Sequence, residues 1–281
     1  MSITLRPMHA GDIEQTFALT QRLKWPHRRE EWQQALELGE GVVAQEQGQV
    51  IGSAIAWRWG DEYATIGLVI VDNQQQGRGI GKQLMLALLE TLNGYNVRLH
   101  ATEMGKGLYE KLGFVTTGQI KQLQTRALAA APSVALPAGV QLRRAAPQDA
   151  QTLACLDRQA HGMWRPALIS ALINENTQLL PDRQGNIQGF ASLRRFGHGW
   201  AIGPIIARDL AGAQALIAAL MQQLQGEFVR IDVDAALPLA AWLQSLGLDE
   251  VDVPTIMVRG TPWQPDPAGM QAFGLMTQAM A

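Results

Sequence analysis

Gln74-Gln75-Gln76-Gly77-Arg78-Gly79-Ile80-Gly81-Lys82-Gln83-Leu84 is the stretch of this chain that decides its fold. It follows an apolar, strand-like run at 64–71 and precedes leucines at helical spacing, so the order is strand, glycine turn and helix. A helix N-terminus carries unpaired backbone N–H groups and partial positive charge, and glycines let an anion approach them. The stretch therefore predicts a phosphate site, with a simple tight turn as the alternative reading.

Two common phosphate loops are excluded by spacing. A Walker loop needs glycine five residues before Gly81 and serine or threonine after Lys82, where this chain has Gln76 and Gln83. The dinucleotide fingerprint needs a third glycine where Lys82 or Leu84 stands. The pattern that fits is Gln-x-x-Gly-x-Gly.

That pattern, filled by Gln76, Gly79 and Gly81, resembles the coenzyme A pyrophosphate loop of the GNAT N-acetyltransferase superfamily. A second segment, Gly107-Leu108-Tyr109-Glu110-Lys111-Leu112-Gly113-Phe114, is similar to the helix that ends in Tyr-Glu-x-x-Gly-Phe in that family. The resemblance implies acetyl-CoA as co-substrate, with no metal. It implies cofactor contacts from the following residues: Val69, Ile70, Val71, Gln76, Gly77, Arg78, Gly79, Ile80, Gly81, Lys82 and Thr102.

The resemblance also implies a mechanism. The strand Leu68–Val71 should be splayed from the strand Val97–Ala101, so that a backbone N–H of Val69 or Val71 can bond the thioester carbonyl. Tyr109 is the candidate acid for the leaving thiolate. Thr102 stands where the family usually has asparagine.

No motif identifies the base that deprotonates the amine. His100 ends the fifth strand and is the candidate catalytic base, with an ordinary structural histidine as the equal alternative. His27 lies in the loop between the first two helices, and a solvated loop residue is the preferred reading. Trp25 in the same loop is a candidate wall for an apolar acceptor. No serine or cysteine nucleophile is evident, so we predict direct attack in a ternary complex.

The two halves of the chain repeat each other. Leu112-Gly113 is matched by Leu246-Gly247 at an offset of 134 residues, and four other matches occur in the same order at offsets of 132–137. The second copy lacks the paired glycines, and Leu243 stands where the first copy has Tyr109. We therefore predict that the second half binds no coenzyme A.

We expect an α/β (α+β) fold of tandem GNAT-like domains, each a mixed, mostly antiparallel twisted sheet flanked by helices. The predicted division is a catalytic domain at 1–126, a linker at 127–139 and a degenerate accessory domain at 140–281. The first copy is expected to close with two strands, Phe114–Thr117 and Ile120–Thr125. In the second copy, Asp157, His161 and Arg165 fall at i, i+4 and i+8, on one helical face if the helix continues through Gly162. They are either a structural ion-pair ladder, which we favour slightly, or walls of an acceptor pocket.

Composition narrows the function classes. The chain has 281 residues, 47% hydrophobic, with a formal net charge of −2, which argues against nucleic acid or an anionic membrane as partner. Cys155 is the single cysteine, so no intrachain disulfide is possible and a cytoplasmic location is expected. We predict an N-acetyltransferase for a small-molecule amine, as monomer or homodimer. The alternatives are a non-catalytic acyl-CoA sensor and, less favoured, transfer to a protein amine.

Overall fold

A computed structural model describes residues 2–136, 138–173 and 176–281 of the protein. The first half has six strands and four helices in the predicted order. Their bounds are β1 Thr4–Pro7, α1 Ile13–Arg22, α2 Arg29–Leu38, β2 Glu40–Glu46, β3 Gln49–Trp59, β4 Tyr63–Val71, α3 Ile80–Thr91, β5 Asn96–Ala101, α4 Glu103–Lys111 and β6 Val115–Thr125.

The second half repeats that order, with two strands in place of the last one and one further strand after them. Its elements are β7 Arg143–Arg144, α5 Ala150–His161, α6 Pro166–Ile173, β8 Asn176–Pro181, β9 Ile187–Phe196, β10 Gly199–Ala207, α7 Leu210–Met221, β11 Val229–Asp234, α8 Ala240–Ser245, β12 Asp249–Asp252, β13 Thr255–Arg259 and β14 Gln271–Gly274. Equivalent elements follow from the repeat: β4 matches β10, α3 matches α7 and β5 matches β11.

The strands form one continuous 14-stranded sheet in the order β1-β2-β3-β4-β5-β13-β6-β11-β14-β10-β9-β8-β7, with β12 paired to β6. The pairs β4–β5 and β10–β11 are parallel, and the other strand pairs of the described residues are antiparallel. The mixed, mostly antiparallel sheet predicted from sequence is confirmed. No helix in the described ranges combines the length and apolar character that crossing a membrane requires.

The two halves exchange a strand. The part of β6 at 120–125 pairs with β11 and β12 of the second half. In return, β13 lies between β5 and the part of β6 at 115–119. These segments are equivalent by the repeat offset of 134 residues, so each half completes its sheet with the other half's strand. The prediction of two separate strands at 114–117 and 120–125 was wrong, because a continuous β6 serves both halves.

Packing also joins the halves. One hydrophobic cluster contains Trp32 and Trp57 of the first half together with Leu168 and Phe190 of the second, all essentially without solvent exposure. Two further clusters lie on the α3 side of the first half and the α7 side of the second. The halves thus share a core, and the division at 127–139 stays a prediction.

Candidate active site

The glycine turn has the backbone that its sequence demands. Gly77 and Gly79 have φ angles of 77° and 76°, in the left-handed region where a side chain is disfavoured. Gly79 directly precedes α3, and the N–H of Gln83 bonds to its carbonyl at 3.1 Å. The N–H groups before Gln83 have no carbonyl one turn earlier to bond, which leaves them for an anion.

The two basic residues of the turn differ in their surroundings. Arg78 pairs with Glu46 through both terminal nitrogens, at 2.8 and 3.0 Å, and it does not line the cleft described below. Lys82 does line that cleft, and no carboxylate of the described residues lies within 4 Å of its Nζ. Lys82 is therefore the better placed of the two to meet a phosphate.

Strand β4 offers an open edge beside the turn. Its pairing with β5 ends at Thr65 and Arg98, while β5 continues against β13. Within β4, Leu68 has a φ of 51°, next to a register shift in the β3–β4 ladder. On the side facing β5, residues 66–71 have no strand partner in the described part of the chain. The splay expected from the family resemblance is confirmed.

The turn and the open edge face one cleft of about 540 Å³ that both halves line. It contains every predicted site residue except Arg78: Val69, Ile70, Val71, Gln76, Gly77, Gly79, Ile80, Gly81, Lys82, His100, Thr102 and Tyr109. One cleft thus holds the glycine turn, the strand edge and both candidate catalytic side chains. Their roles stay predictions.

Tyr109 lies near the end of α4, with its ring packed edge-on against Phe114 at a centroid distance of 6.1 Å. It is 8% exposed, and burial raises the pKa of its phenol to about 12. The hydroxyl therefore keeps its proton throughout the physiological range. A protonated phenol that faces the cleft can act as a general acid.

His100 lies on β5, and protein atoms contact both of its ring nitrogens. Its Nδ1 is 2.7 Å from the carbonyl oxygen of Gln278, so this nitrogen carries the proton and donates it. Its Nε2 is 3.2 Å from a terminal nitrogen of Arg98, whose N–H donates to it. Burial and Arg98 lower the pKa of the imidazole to about 3. These contacts leave His100 neutral and favour a structural role over that of a base.

Aromatic and charged residues from both halves also line the cleft. Trp25 and His27 come from the loop between α1 and α2, and Phe196 and Arg230 come from β9 and β11. The rings of His27 and Phe196 meet edge-to-face at 5.4 Å. Burial, followed by Arg230, lowers the pKa of His27 to about 3, and its Nδ1 is buried without a partner in the described residues. The reading of His27 as a solvated loop residue was wrong.

The ladder of Asp157, His161 and Arg165 is structural, as favoured from the sequence, but it does not lie on one helical face, because α5 ends at His161 and Gly162 follows with a φ of 82°. All three are buried, and none lines the cleft. Arg165 binds both carboxylate oxygens of Asp157 at 2.8 and 2.9 Å, and it donates to the carbonyl oxygens of Met280 and Ala281 at 2.7 and 2.6 Å. The ladder thus anchors residues 276–281, which we call the inserted segment.

The second half has lost the features that make the first half's turn open. Asp209 caps α7, and its carboxylate accepts from the N–H of Gly212 at 2.8 Å. The carboxylate stands where an anion would have to bind. The gap between β10 and β11 is filled by β14, which pairs with both strands. Both changes support the prediction that this half binds no coenzyme A.

Sequence reasoning missed the second half's contribution to the cleft. Phe196, Arg230, Asp252 and residues 277–279 of the inserted segment all line it. One signal was present in β11, where apolar and charged residues alternate in Val-Arg-Ile-Asp-Val-Asp. The apolar set joins the second half's core, which turns Arg230 and Asp232 to the opposite face. The inserted segment carries no comparable pattern.

Comparison with known proteins agrees with this architecture. Two family models, both described as acetyltransferase (GNAT) domain, match residues 37–116 and 153–271. The uncharacterized N-acetyltransferase YitH of Bacillus subtilis is 29% identical over 197 residues, which are 69% of this chain and 68% of that protein.

Solved structures share the fold over nearly the whole chain. A candidate acetyltransferase of Pyrococcus horikoshii superposes with a TM-score of 0.78 at 22% identity, covering 99% of this chain and 96% of that one. A tandem GNAT protein from the clavulanic acid biosynthesis pathway gives a TM-score of 0.65 at 14% identity, covering 94% and 100%. With one GNAT domain matched in each half, the chain belongs to the GNAT acetyltransferase family and is an N-acetyltransferase.

Proposed function

We propose that the protein transfers the acetyl group of acetyl-CoA to the amine of a small molecule, by direct attack in a ternary complex. One observation carries the proposal: the glycine turn, the unpaired edge of β4 and the hydroxyl-bearing Tyr109 all face the same cleft. GNAT acetyltransferases in general use acetyl-CoA, and the features in this cleft match the three parts of that molecule. The turn suits its diphosphate, the edge its pantetheine arm, and the inner cleft its thioester.

The reaction needs stabilisation of one developing negative charge and two proton transfers. The amine nitrogen attacks the thioester carbonyl carbon and forms the C–N bond, and negative charge develops on the carbonyl oxygen. A backbone N–H of Val69 or Val71 on the open edge can stabilise that charge. The C–S bond then breaks, and Tyr109 gives its proton to the departing thiolate. The proton that the nitrogen loses returns to the phenolate through solvent.

The amine must also be neutral when it attacks, so a group in the cleft has to take its proton. The earlier prediction of His100 stays a prediction, and its bond from Arg98 occupies the lone pair that a base would use. Asp252 is the one carboxylate that lines the cleft among the described residues. We propose that deprotonation runs through water near Asp252 rather than through His100.

A small acceptor suits the shape of the site. The second half lines the cleft with Phe196, Arg230 and residues 277–279, so an acceptor has to fit between walls from both halves. These walls weigh against a folded protein as the acceptor. The acyl-CoA sensor is disfavoured because the protein is an N-acetyltransferase by family and keeps a protonated phenol in the cleft.

The test combines binding with turnover. Calorimetry with acetyl-CoA should give one site per chain, and a panel of small amines should yield at least one that releases free thiol. Binding without thiol release from any amine would favour the sensor. Absence of acetyl-CoA binding would refute the proposal. The cytoplasmic location and the oligomeric state stay predictions.

A further inference from the structure

The inserted segment, residues 276–281, closes the narrow end of the opening between β4 and β5. Pairing of these strands ends at Thr65, and Gly67 lies two residues further along β4. A β-carbon built on Gly67 would lie 2.7 Å from the Cβ of Ala279 and 2.8 Å from its Cα. Gly67 and Ala279 both line the cleft. Ala279 therefore touches the backbone of β4 just beyond the point where the strands part, and Gly67 has no side chain because that space is taken.

Several contacts hold the inserted segment in place. His100 donates to the carbonyl oxygen of Gln278, and Arg194 donates to that of Met276. The buried ladder of the second half holds the other end through Arg165, which bonds the carbonyl oxygens of residues 280 and 281. The segment is thus a fixed wall, not a loosely packed tail.

We infer that Ala279 determines the size of the acyl group that the enzyme accepts, with acetyl as the limit. The inference rests on the proposed function. A thioester arm that pairs with the free edge at Val69–Val71 points its acyl end along β4 toward Gly67. There Ala279 closes the space, so each additional methylene must displace a wall that buried arginines hold.

On this inference, the second half has a role although it has lost the coenzyme A features: it positions the wall of the acyl site. The ladder of Asp157, His161 and Arg165 lies outside the cleft, yet it fixes the wall of the acyl site. His100 is accounted for in the same way, as the residue that holds Gln278 beside Ala279. Both act as positioning groups for the wall.

Binding of acyl-CoA thioesters tests the inference without knowledge of the acceptor. Affinities for CoA, acetyl-CoA, propionyl-CoA and butyryl-CoA are measured by calorimetry on the full chain and on Ala279→Gly. The matched control is Ala268→Gly, the same change at an exposed loop residue of the second half. We expect the wild type to bind propionyl-CoA about tenfold more weakly than acetyl-CoA, the usual effect of one methylene in a closed pocket. In Ala279→Gly the difference should fall to about twofold, and in Ala268→Gly it should persist.

Affinity for CoA itself should be the same in all three proteins, because the wall touches only the acyl end. Equal binding of acetyl-CoA and butyryl-CoA by the wild type would overturn the inference without any variant. So would a propionyl-to-acetyl ratio in Ala279→Gly that matches the wild type. If the wild type bound CoA in none of these forms, the proposed function itself would fail, and the inference with it.

Discussion

The Nδ1 of His100 donates a hydrogen bond of 2.7 Å to the carbonyl oxygen of Gln278, across 178 residues of sequence. The bond joins a strand of the first half to the inserted segment of the second. It also fixes the imidazole as the tautomer with its proton on Nδ1. The two halves are therefore in direct contact at His100.

The histidines whose pKa values are lowered make a prediction about pH. The pKa values of His27 and His100 are lowered from 6.5 to about 3 in the folded protein, chiefly by burial. Between those values the unfolded chain binds more protons than the folded one, so stability falls as pH falls from about 6.5. We expect urea unfolding to show a loss of roughly 1–2 kcal/mol per histidine between pH 6.5 and 5.

The variant His27→Gln should flatten that slope, because it removes one of the three histidines whose pKa values are lowered, the third being His161 of the buried ladder. His9→Gln, the same change at a side chain that is 65% exposed, serves as the control for the substitution itself. A wild-type stability that is constant from pH 7 to 5 would contradict the assignment. Carboxylates with lowered pKa values, such as Asp12, change the stability mainly below about pH 4. They therefore do not account for a slope at higher pH.

Tyr109→Phe should reduce kcat about a hundredfold or more, because the departing thiolate loses its proton donor. The affinity for acetyl-CoA should change little, since the ring and its packing against Phe114 remain. Thiol release at saturating acetyl-CoA measures the first effect, and calorimetry the second. The control is Tyr95→Phe, outside the cleft. A wild-type kcat in Tyr109→Phe would remove the acid from the scheme.

The phosphate turn offers a closely matched pair of variants. Gly79 and Gly48 have φ angles of 76° and 78°, and a β-carbon on either would meet nothing within 4 Å. Aspartate at either position brings the same backbone strain, about 1–2 kcal/mol. Gly79→Asp also adds a carboxylate where a diphosphate should bind, as Asp209 does in the second half. We expect calorimetry to show no acetyl-CoA binding to Gly79→Asp and wild-type affinity in Gly48→Asp.

Much of the fold could be predicted from local patterns. The glycine turn, the order of strands and helices, and the repeat of the two halves all follow from spacing within short stretches. The exchange of strands could not be predicted in this way, because the sequences of β13 and of residues 120–125 do not show which sheet each strand joins. Which sheet each joins depends on contacts between residues that lie far apart in the sequence, such as Thr125 with Val229 and Gln119 with Thr255, and no local pattern records them.

The site residues also divide into those that local patterns predict and those that they do not. Most of the residues that line the cleft in the first half could be predicted because the turn, the strand edge and Tyr109 lie within one half and carry a recognisable order. The wall made by Ala279 was not predicted, because an alanine in a short irregular segment carries no functional group that marks a site. The exposure of His27 was misjudged for a related reason: the loop that holds it is covered by Phe196 of the other half.

The degenerate half should stay empty even when its helix cap is removed. Asp209→Ala should destabilise the protein by about 1 kcal/mol, because the N–H of Gly212 loses its acceptor. It should not create a second acetyl-CoA site, since β14 still fills the gap between β10 and β11. Calorimetric stoichiometry should remain one per chain. A stoichiometry of two would show that the Asp209 cap alone prevents acetyl-CoA from binding to the second half.

The exchanged strand makes the first half depend on a distant residue. Met257 of β13 has no solvent exposure and pairs with Leu99 on one side and Thr116 on the other. Met257→Ala should lower the free energy of unfolding by about 2–5 kcal/mol, because it leaves a cavity in the first half's sheet. Met104→Ala removes the same atoms from a side chain that is 78% exposed and should cost little. Hydrogen exchange should then show weakened protection in β5, although the substitution lies in the second half of the sequence. Equal unfolding free energies for the two variants, with β5 protected as in the wild type, would mean that β13 does not complete the first half's sheet in solution.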